Sequence, residues 1–144
     1  MTSPHQRAWP ATTRTTPLQH EVALPGSKSL TNRELVLAAL ADGPSTLRAP
    51  LIARDTTLMV AALRELGAHI EEVDSNVASP DLLVTPIPEG HRVDATIDCG
   101  LAGTVMRFVP PLMALIHGHA RFDGDDAARA RPMSATLDAL GQLG

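Results

Sequence analysis

Aromatic side chains are scarce in this chain: 2% of its 144 residues are Phe, Trp or Tyr, and there is no tyrosine. Proteins that bind single-stranded nucleic acids stack the bases on aromatic rings, so this mode of binding is not expected. Positive charge is also in deficit, because 12 Lys and Arg stand against 16 Asp and Glu, a formal net charge of −4. A general nucleic-acid surface is therefore disfavoured, whereas a local basic site is compatible with this balance.

Cysteine occurs once, as Cys99, so the chain cannot form an internal disulfide, which fits a reducing compartment. At a strand end beside a glycine, Cys99 is interpreted as a small buried residue rather than a nucleophile. No apolar run approaches the ~18 residues of a membrane-spanning helix, and the N-terminus lacks the order of a signal peptide. The six histidines have no metal-ligand spacing. We therefore expect a cytoplasmic enzyme or binding domain without a metal site.

Turn residues and hydrophobic periodicity divide the chain into short elements. A capping box formed by Thr31 and Glu34 opens the first predicted helix, and Gly67 ends the second. In the third helix, Pro110-Pro111 predicts a kink or a broken start. The predicted strands are 18–24, 45–49, 69–73, 82–87 and 95–99, and the predicted helices are 30–41, 55–66, one from near residue 102, and one within 131–144. This alternation indicates an α/β fold.

The second half of the chain repeats the plan of the first. Gly26 and Arg33 precede one helix as Gly100 and Arg107 precede another, and "ALRELG" at 62–67 matches "ALGQLG" at 139–144. The repeated unit is βαβαββ, and its second copy lacks the two closing strands. Since such a unit leaves a sheet edge and a helix face uncovered, we expect the chain to be a fragment. The predicted division is a flexible tail over 1–16 and an incomplete domain over 17–144, with a first unit at about 26–99 and a second, shortened one at about 100–144.

The stretch "PGSKSLTNR" concentrates hydrogen-bond donors at the start of a helix. Lys28 offers a point charge, Ser29 a hydroxyl and Arg33 a bidentate guanidinium, beside the unpaired N–H groups of the first turn. Such a site suits phosphate or carboxylate. The alternative is a solvated helix start with incidental charges.

A second loop, "CGLAGTVMR", has the same plan with fewer charges. Gly103 allows close approach to the backbone, Thr104 offers a hydroxyl, and Arg107 corresponds to the arginine of the first loop. Arg131, before Pro132, adds a charge at a further helix start. Two such loops favour a ligand with more than one anionic group, although each alone is also compatible with an ordinary strand-to-helix turn.

Four motifs in this order resemble the EPSP synthase family, the 3-phosphoshikimate 1-carboxyvinyltransferases, from Gln19 to Gly144: "LPGSKSLTNRELVLAAL", "RDTTLMVAALRELGAHI", "DCGLAGTVMRF" and "FDGDDAARARP". The resemblance implies repeated βαβαββ units in a two-domain inside-out α/β barrel. It implies transfer of the carboxyvinyl group of phosphoenolpyruvate to shikimate 3-phosphate, with no metal or organic cofactor, by a complete enzyme that is a monomer. The alternatives are a fragment that only binds anionic metabolites or a complementary chain, and, less favoured, UDP-N-acetylglucosamine 1-carboxyvinyltransferase.

The resemblance also implies roles for individual residues. Lys28 is expected to be catalytic and to contact both substrates, while Ser29 and Arg33 bind shikimate 3-phosphate. Gly103 and Arg131 are expected to bind phosphoenolpyruvate.

Other positions are supporting residues or departures from the family pattern. Asp55, at the start of the second helix, is either a helix cap or a site residue, and Thr104 and Arg107 are possible supports. Leu101 replaces an amide side chain, and Phe108 stands where proline is frequent. These departures imply a phosphoenolpyruvate pocket of altered shape. The proton-transfer residues are expected beyond position 144.

Overall fold

The computed structural model describes residues 10–22, 24–73 and 79–143. Within these ranges the chain forms five helices and five strands. The helices are α1 (Lys28–Ala39), α2 (Arg54–Glu65), α3 (Gly103–Met113), α4 (Asp126–Arg129) and α5 (Ser134–Leu143); the strands are β1 (Ser45–Leu47), β2 (His69–Val73), β3 (Asp81–Thr85), β4 (Arg92–Asp98) and β5 (His117–Asp123). The predicted α/β fold is therefore confirmed, and the one element without a predicted counterpart among the helices is the four-residue α4.

The strands form two small sheets. One is antiparallel in the order β1-β3-β2. Leu83 of the central strand β3 pairs with Thr46 of β1 on one side and with Glu71 of β2 on the other. The other is a parallel pair of β4 and β5, with Asp98 opposite Asp123 at their carboxyl ends. A parallel pair requires a crossover, and α3 supplies it.

The core lies between these sheets and the three long helices α1, α2 and α3. Leu35 of α1, Met59 and Leu63 of α2, and Val105 and Val109 of α3 are fully buried. Each pair within one helix is separated by four residues, so the side chains form an apolar stripe on one face. α2 contacts both α1 and α3, which places it between them.

The start of α1 differs from the predicted capping box. Ser27, in an extended conformation, is the N-cap, and its Oγ accepts a hydrogen bond from the Leu30 N–H at 3.4 Å. Thr31 lies inside the helix, where it is buried and its Oγ1 accepts the Leu51 N–H at 3.1 Å. Because the loop before α2 already engages this hydroxyl, Thr31 acts in packing α1 rather than in capping it.

The structure tests the predicted end of α2 at Gly67 and the predicted effect of Pro110-Pro111 on α3. Gly67 follows α2 with φ 103°, a left-handed conformation that favours glycine, so the predicted stop is confirmed. α3 contains both Pro110 and Pro111 and continues to Met113. The helix is therefore not broken at its start by these prolines.

The predicted strand at 18–24 is wrong for the residues of this segment that the structure describes. Leu18, Val22 and Leu24 are 71%, 65% and 81% exposed, and the described positions are irregular. A strand needs a neighbour to satisfy its backbone groups, and no described strand lies beside this segment. Residues 10–16 are likewise irregular and exposed, while the remainder of the predicted tail, 1–9, lies outside the described residues. The predicted unit boundaries stay a prediction.

Candidate anion-binding site

Three helices begin at one end of the molecule. Lys28, the first residue of α1, places its Nζ 3.1 Å from Oδ2 of Asp55, the second residue of α2. Asn32, in the first turns of α1, donates from Nδ2 to Oγ1 of Thr104, the second residue of α3, at 2.5 Å. Helix N-termini have unpaired N–H groups and a partial positive charge, so this end of the molecule suits anions.

Lys28 and Ser29 are accessible at this end. The Lys28 side chain is 51% exposed although it pairs with Asp55, whose side chain is 26% exposed. An ammonium has three donors, so this ion pair leaves Lys28 able to bind a further anion. Ser29 is exposed in the same turn.

Arg33 is held by two contacts one turn further along α1. Its Nη1 donates to the Ser29 carbonyl at 3.0 Å, and its Cζ lies 5.7 Å from the centre of the Phe108 ring in α3. This distance is within the range of a cation–π interaction. Phe108, which the sequence identified only as a departure from the family pattern, therefore contacts Arg33 across the α1–α3 interface.

Two guanidinium groups flank Gly103 at the start of α3. A Cβ at this position would lie 3.0 Å from Nη1 of Arg107 and 3.4 Å from Nη1 of Arg131. Arg107 donates to the Gly103 carbonyl at 3.2 Å, and Arg131 donates to the Leu101 carbonyl at 3.0 Å. The absence of a side chain at Gly103 thus provides the space into which both cations fit.

Neighbouring arginines are instead engaged by carboxylates. Arg129 binds Asp123 at 2.9 Å and Asp126 at 2.6 Å, and Arg54 binds Asp125 at 2.9 Å. The hydrogen bond from the Arg129 guanidinium, followed by that from the Gly124 N–H, lowers the pKa of Asp123 to about 2. These pairs are exposed, and their charges largely cancel locally. Arg33, Arg107 and Arg131 donate to backbone carbonyls and differ in this respect from Arg54 and Arg129.

A cavity of about 360 Å³ lies beside Arg129 and Arg131, between α3, β5 and α5. Met106, Phe122 and Leu137 give it a mainly apolar lining, and Arg131 stands among its lining residues. Cys99 also lines it, is 3% exposed, and has its pKa raised to about 11, first by burial and then by the nearby Asp98 carboxylate. The thiol is therefore protonated at neutral pH, as expected of a buried structural cysteine.

Two further findings concern the described part of the chain. In it, no group of three or more His, Cys, Asp or Glu side chains is arranged to hold a metal ion. Over the same ranges, no helix has both the length and the apolar character that crossing a membrane would require.

The fold and the site define an α/β protein in which three helix N-termini and four cationic side chains share one end. A family model described as EPSP synthase (3-phosphoshikimate 1-carboxyvinyltransferase) matches residues 12–144, and the chain belongs to this family. The family recognised in the sequence is thus confirmed.

Curated relatives agree with this assignment. A 3-phosphoshikimate 1-carboxyvinyltransferase of Kocuria rhizophila is 57% identical over 140 residues, which cover 94% of this chain and 32% of the relative. One of Mycobacterium ulcerans is 49% identical, with 94% of this chain and 31% of the relative covered. This chain therefore spans about a third of the length of the curated relatives it matches.

Solved structures show the same fold. Two structures of EPSP synthase from Acinetobacter baumannii match with a TM-score of 0.70 at 22% identity, covering 85% of this chain and 27% or 28% of those chains. At this identity the likeness concerns the fold alone, and it supports the predicted enolpyruvyl transferase architecture.

The structure brings most sequence-predicted residues to one end of the molecule. Two groups are directly connected: Lys28 with Asp55, and Gly103 with Arg107 and Arg131. The predicted roles of all these residues in substrate binding stay predictions. Sequence reasoning missed the interhelical contacts made by residues 32 and 108. The contact of Asn32 could have been predicted, because this amide side chain stands three residues before Leu35 and so lies on the same core-facing side of α1.

Proposed function

We propose that this chain takes part in transferring the carboxyvinyl group of phosphoenolpyruvate to the 5-hydroxyl of shikimate 3-phosphate, with release of phosphate. The observation that carries the proposal is the convergence of three helix N-termini with Lys28, Arg33, Arg107 and Arg131 at one end. Both proposed substrates are highly anionic and repel each other. Fixed donors that offset this repulsion would let the two reacting groups approach.

Lys28 would contact both substrates, with shikimate 3-phosphate held beside it by α1. Its exposed ammonium stands at the start of α1, and Ser29 and Arg33 follow on the same accessible end. Phe108 and the Ser29 carbonyl hold the Arg33 guanidinium in place, so less conformational freedom is lost when it binds a phosphate. We propose that Ser29 and Arg33 bind shikimate 3-phosphate.

Phosphoenolpyruvate would bind at the start of α3. The Gly103 backbone and the Arg131 guanidinium lie next to each other there, with Arg107 and Thr104 in support. Both guanidinium groups keep most of their donors after their single bonds to carbonyl oxygens, and an arginine fork matches carboxylate and phosphate geometry.

Asp55 would orient Lys28 between turnovers. The N-cap of α2 is Ala53, whose N–H donates to Oγ1 of Thr56 at 2.9 Å, so Asp55 is not the cap of this helix. Its carboxylate is instead 3.1 Å from the Lys28 ammonium. We assign proton transfer to no described carboxylate, and the proposed reaction uses no metal or organic cofactor.

A chimera tests the function. This chain would replace the matching 140 residues of the Kocuria rhizophila relative, and phosphate release would be measured with phosphoenolpyruvate and shikimate 3-phosphate. We expect turnover with shikimate 3-phosphate and none with UDP-N-acetylglucosamine. Lys28→Met should lower kcat/KM by about 100-fold or more, since a charged donor shared by two anions is lost.

Arg48→Met, in the loop after β1, is the matched control and should retain the activity of the chimera. A folded chimera without turnover, under conditions in which the relative itself is active, would contradict the proposal and leave binding of anionic metabolites as the function. Activity that survives Lys28→Met would contradict the role of Lys28.

A further inference from the structure

Asn32 is a polar residue in the helix interface to which the proposed chemistry assigns no role. Its side chain is 0% exposed. It lies on the same face of α1 as Leu35 and Ala39, three and seven residues further on, and both of these are buried. Packing at this position would therefore accept an aliphatic side chain.

The Asn32 amide is only partly satisfied. Nδ2 donates to Oγ1 of Thr104, 72 residues away, whereas Oδ1 has no hydrogen-bond partner among the residues that the structure describes. A buried acceptor without a partner destabilises a fold, and replacing a buried polar pair by apolar groups of the same shape can be neutral or stabilising. Stability therefore does not explain an asparagine at this position.

The hydrogen bond connects the two helix turns that hold the candidate site. On α1, Asn32 lies one turn after Lys28 and directly before Arg33. On α3, Thr104 follows Gly103. A shift of α1 relative to α3 would change the separation between the donors on the two helices. The bond therefore joins the two groups of donors, and their separation matters if they act together.

We propose that Asn32 is a positioning residue: through Thr104 it fixes the spacing of the α1 and α3 N-termini and hence of the two anions bound there. This inference rests on the proposed function and deepens it. Asn32 is too deeply buried to contact either anion. Its effect on catalysis is indirect, and misplacement of reacting groups by about 1 Å can cost about 100-fold in rate.

The test removes the bond while keeping the number and branching of the side-chain heavy atoms. In the chimera, Asn32→Leu and Thr104→Val should each lower kcat/KM by about 10-fold to 100-fold. The double variant should lose no more than the worse single variant, because both substitutions break the same bond. Thr57→Val, at an exposed position of α2, is the matched control and should leave kcat/KM unchanged.

Thermal unfolding separates positioning from stability. The melting temperature of the double variant Asn32→Leu/Thr104→Val, in which both partners are apolar, should equal or exceed that of the parent chimera, although its activity falls. A merely structural asparagine would give the reverse result, a lower melting temperature with unchanged kcat/KM per folded molecule. A kcat/KM within twofold of the parent would also overturn the proposal.

Hydrogen exchange in the 144-residue chain gives a readout that does not depend on activity. The Met106 N–H, which donates to the Ala102 carbonyl at 3.1 Å in the first turn of α3, should exchange at least tenfold faster in Asn32→Leu. The Leu63 amide of α2 should be unaffected. Unchanged exchange at Met106 overturns the positioning role even if the chimera is inactive. An inactive parent chimera with faster exchange at Met106 contradicts the proposed function alone.

Discussion

Arg129 and Arg131 lie two residues apart and have different surroundings. Arg129 is bound by two carboxylates, Asp123 and Asp126, which raise its pKa above the ordinary arginine value and cancel its charge locally. Arg131 donates to a backbone carbonyl and lies beside Gly103 at the start of α3. Identical side chains therefore have different capacities to bind an anion, because their partners differ.

This pair supplies a prediction with an internal control. In the chimera, Arg131→Ala should raise the KM for phosphoenolpyruvate by about 30-fold, which corresponds to about 2 kcal/mol for a lost charge-assisted hydrogen bond. Arg129→Ala should leave this KM within about twofold of the parent. Steady-state kinetics at saturating shikimate 3-phosphate measure both values. Equal effects of the two substitutions would show that the surroundings of the arginines do not decide their function.

At the scale of elements, the end of α2 determines where the chain turns toward β2. The Gly67 N–H donates to the Arg64 carbonyl at 2.9 Å, and the Ala68 N–H donates to the Leu63 carbonyl at 3.0 Å. This turn closes the helix and requires the left-handed conformation of Gly67. A Cβ there would also lie 2.5 Å from Cδ2 of His91. Both backbone conformation and space therefore favour glycine.

Gly67→Ala should lower the free energy of unfolding by about 1–3 kcal/mol. Gly43→Ala is the matched control, because a Cβ at Gly43 meets no atom within 4 Å and its φ is not positive. Urea denaturation of the 144-residue chain, followed by circular dichroism, measures the difference. A Gly67→Ala variant as stable as Gly43→Ala would mean that the turn after α2 adapts without strain.

At the scale of the whole molecule, we expect Asp123, at the end of β5, to contribute to the pH dependence of stability. Its pKa is about 2 in the folded chain, compared with an ordinary value of 3.8, because Arg129 and the Gly124 N–H bind the charged form. A carboxyl group whose pKa is lowered by folding stabilises the fold above its unfolded pKa. This contribution is lost as the pH falls from about 4 through 2.

Asp123→Asn should therefore reduce the free energy of unfolding by a constant amount above about pH 5, and the difference from the parent should shrink as the pH approaches 2. Denaturant titrations between pH 2 and pH 7 provide the measurement. Arg129→Ala should show the same pH dependence, since it removes the main donor to this carboxylate. A difference that stays constant down to pH 2 would contradict the lowered pKa.

Much of this arrangement could be predicted from local sequence. The repeated loops predicted where α1 and α3 begin, and Gly67 predicted the end of α2, because helix termini depend on residues within one turn. The candidate residues Lys28, Arg33 and Arg131 were likewise identified from the motifs around them. The strand predicted at 18–24 was wrong for its described residues, because a strand also depends on a neighbour that local sequence does not specify.

The sequence by itself determined most of the helices and strands and the identity of the cations near helix starts, but it predicted neither α4 nor the bounds of β5. Tertiary structure decided which of these cations share one end, and it revealed the contacts of Asn32 with Thr104 and of Arg33 with Phe108. These partners are more than 70 residues apart in the sequence. They meet because the stripes of apolar side chains on α1, α2 and α3 pack into one core, and that packing sets the register between the helices.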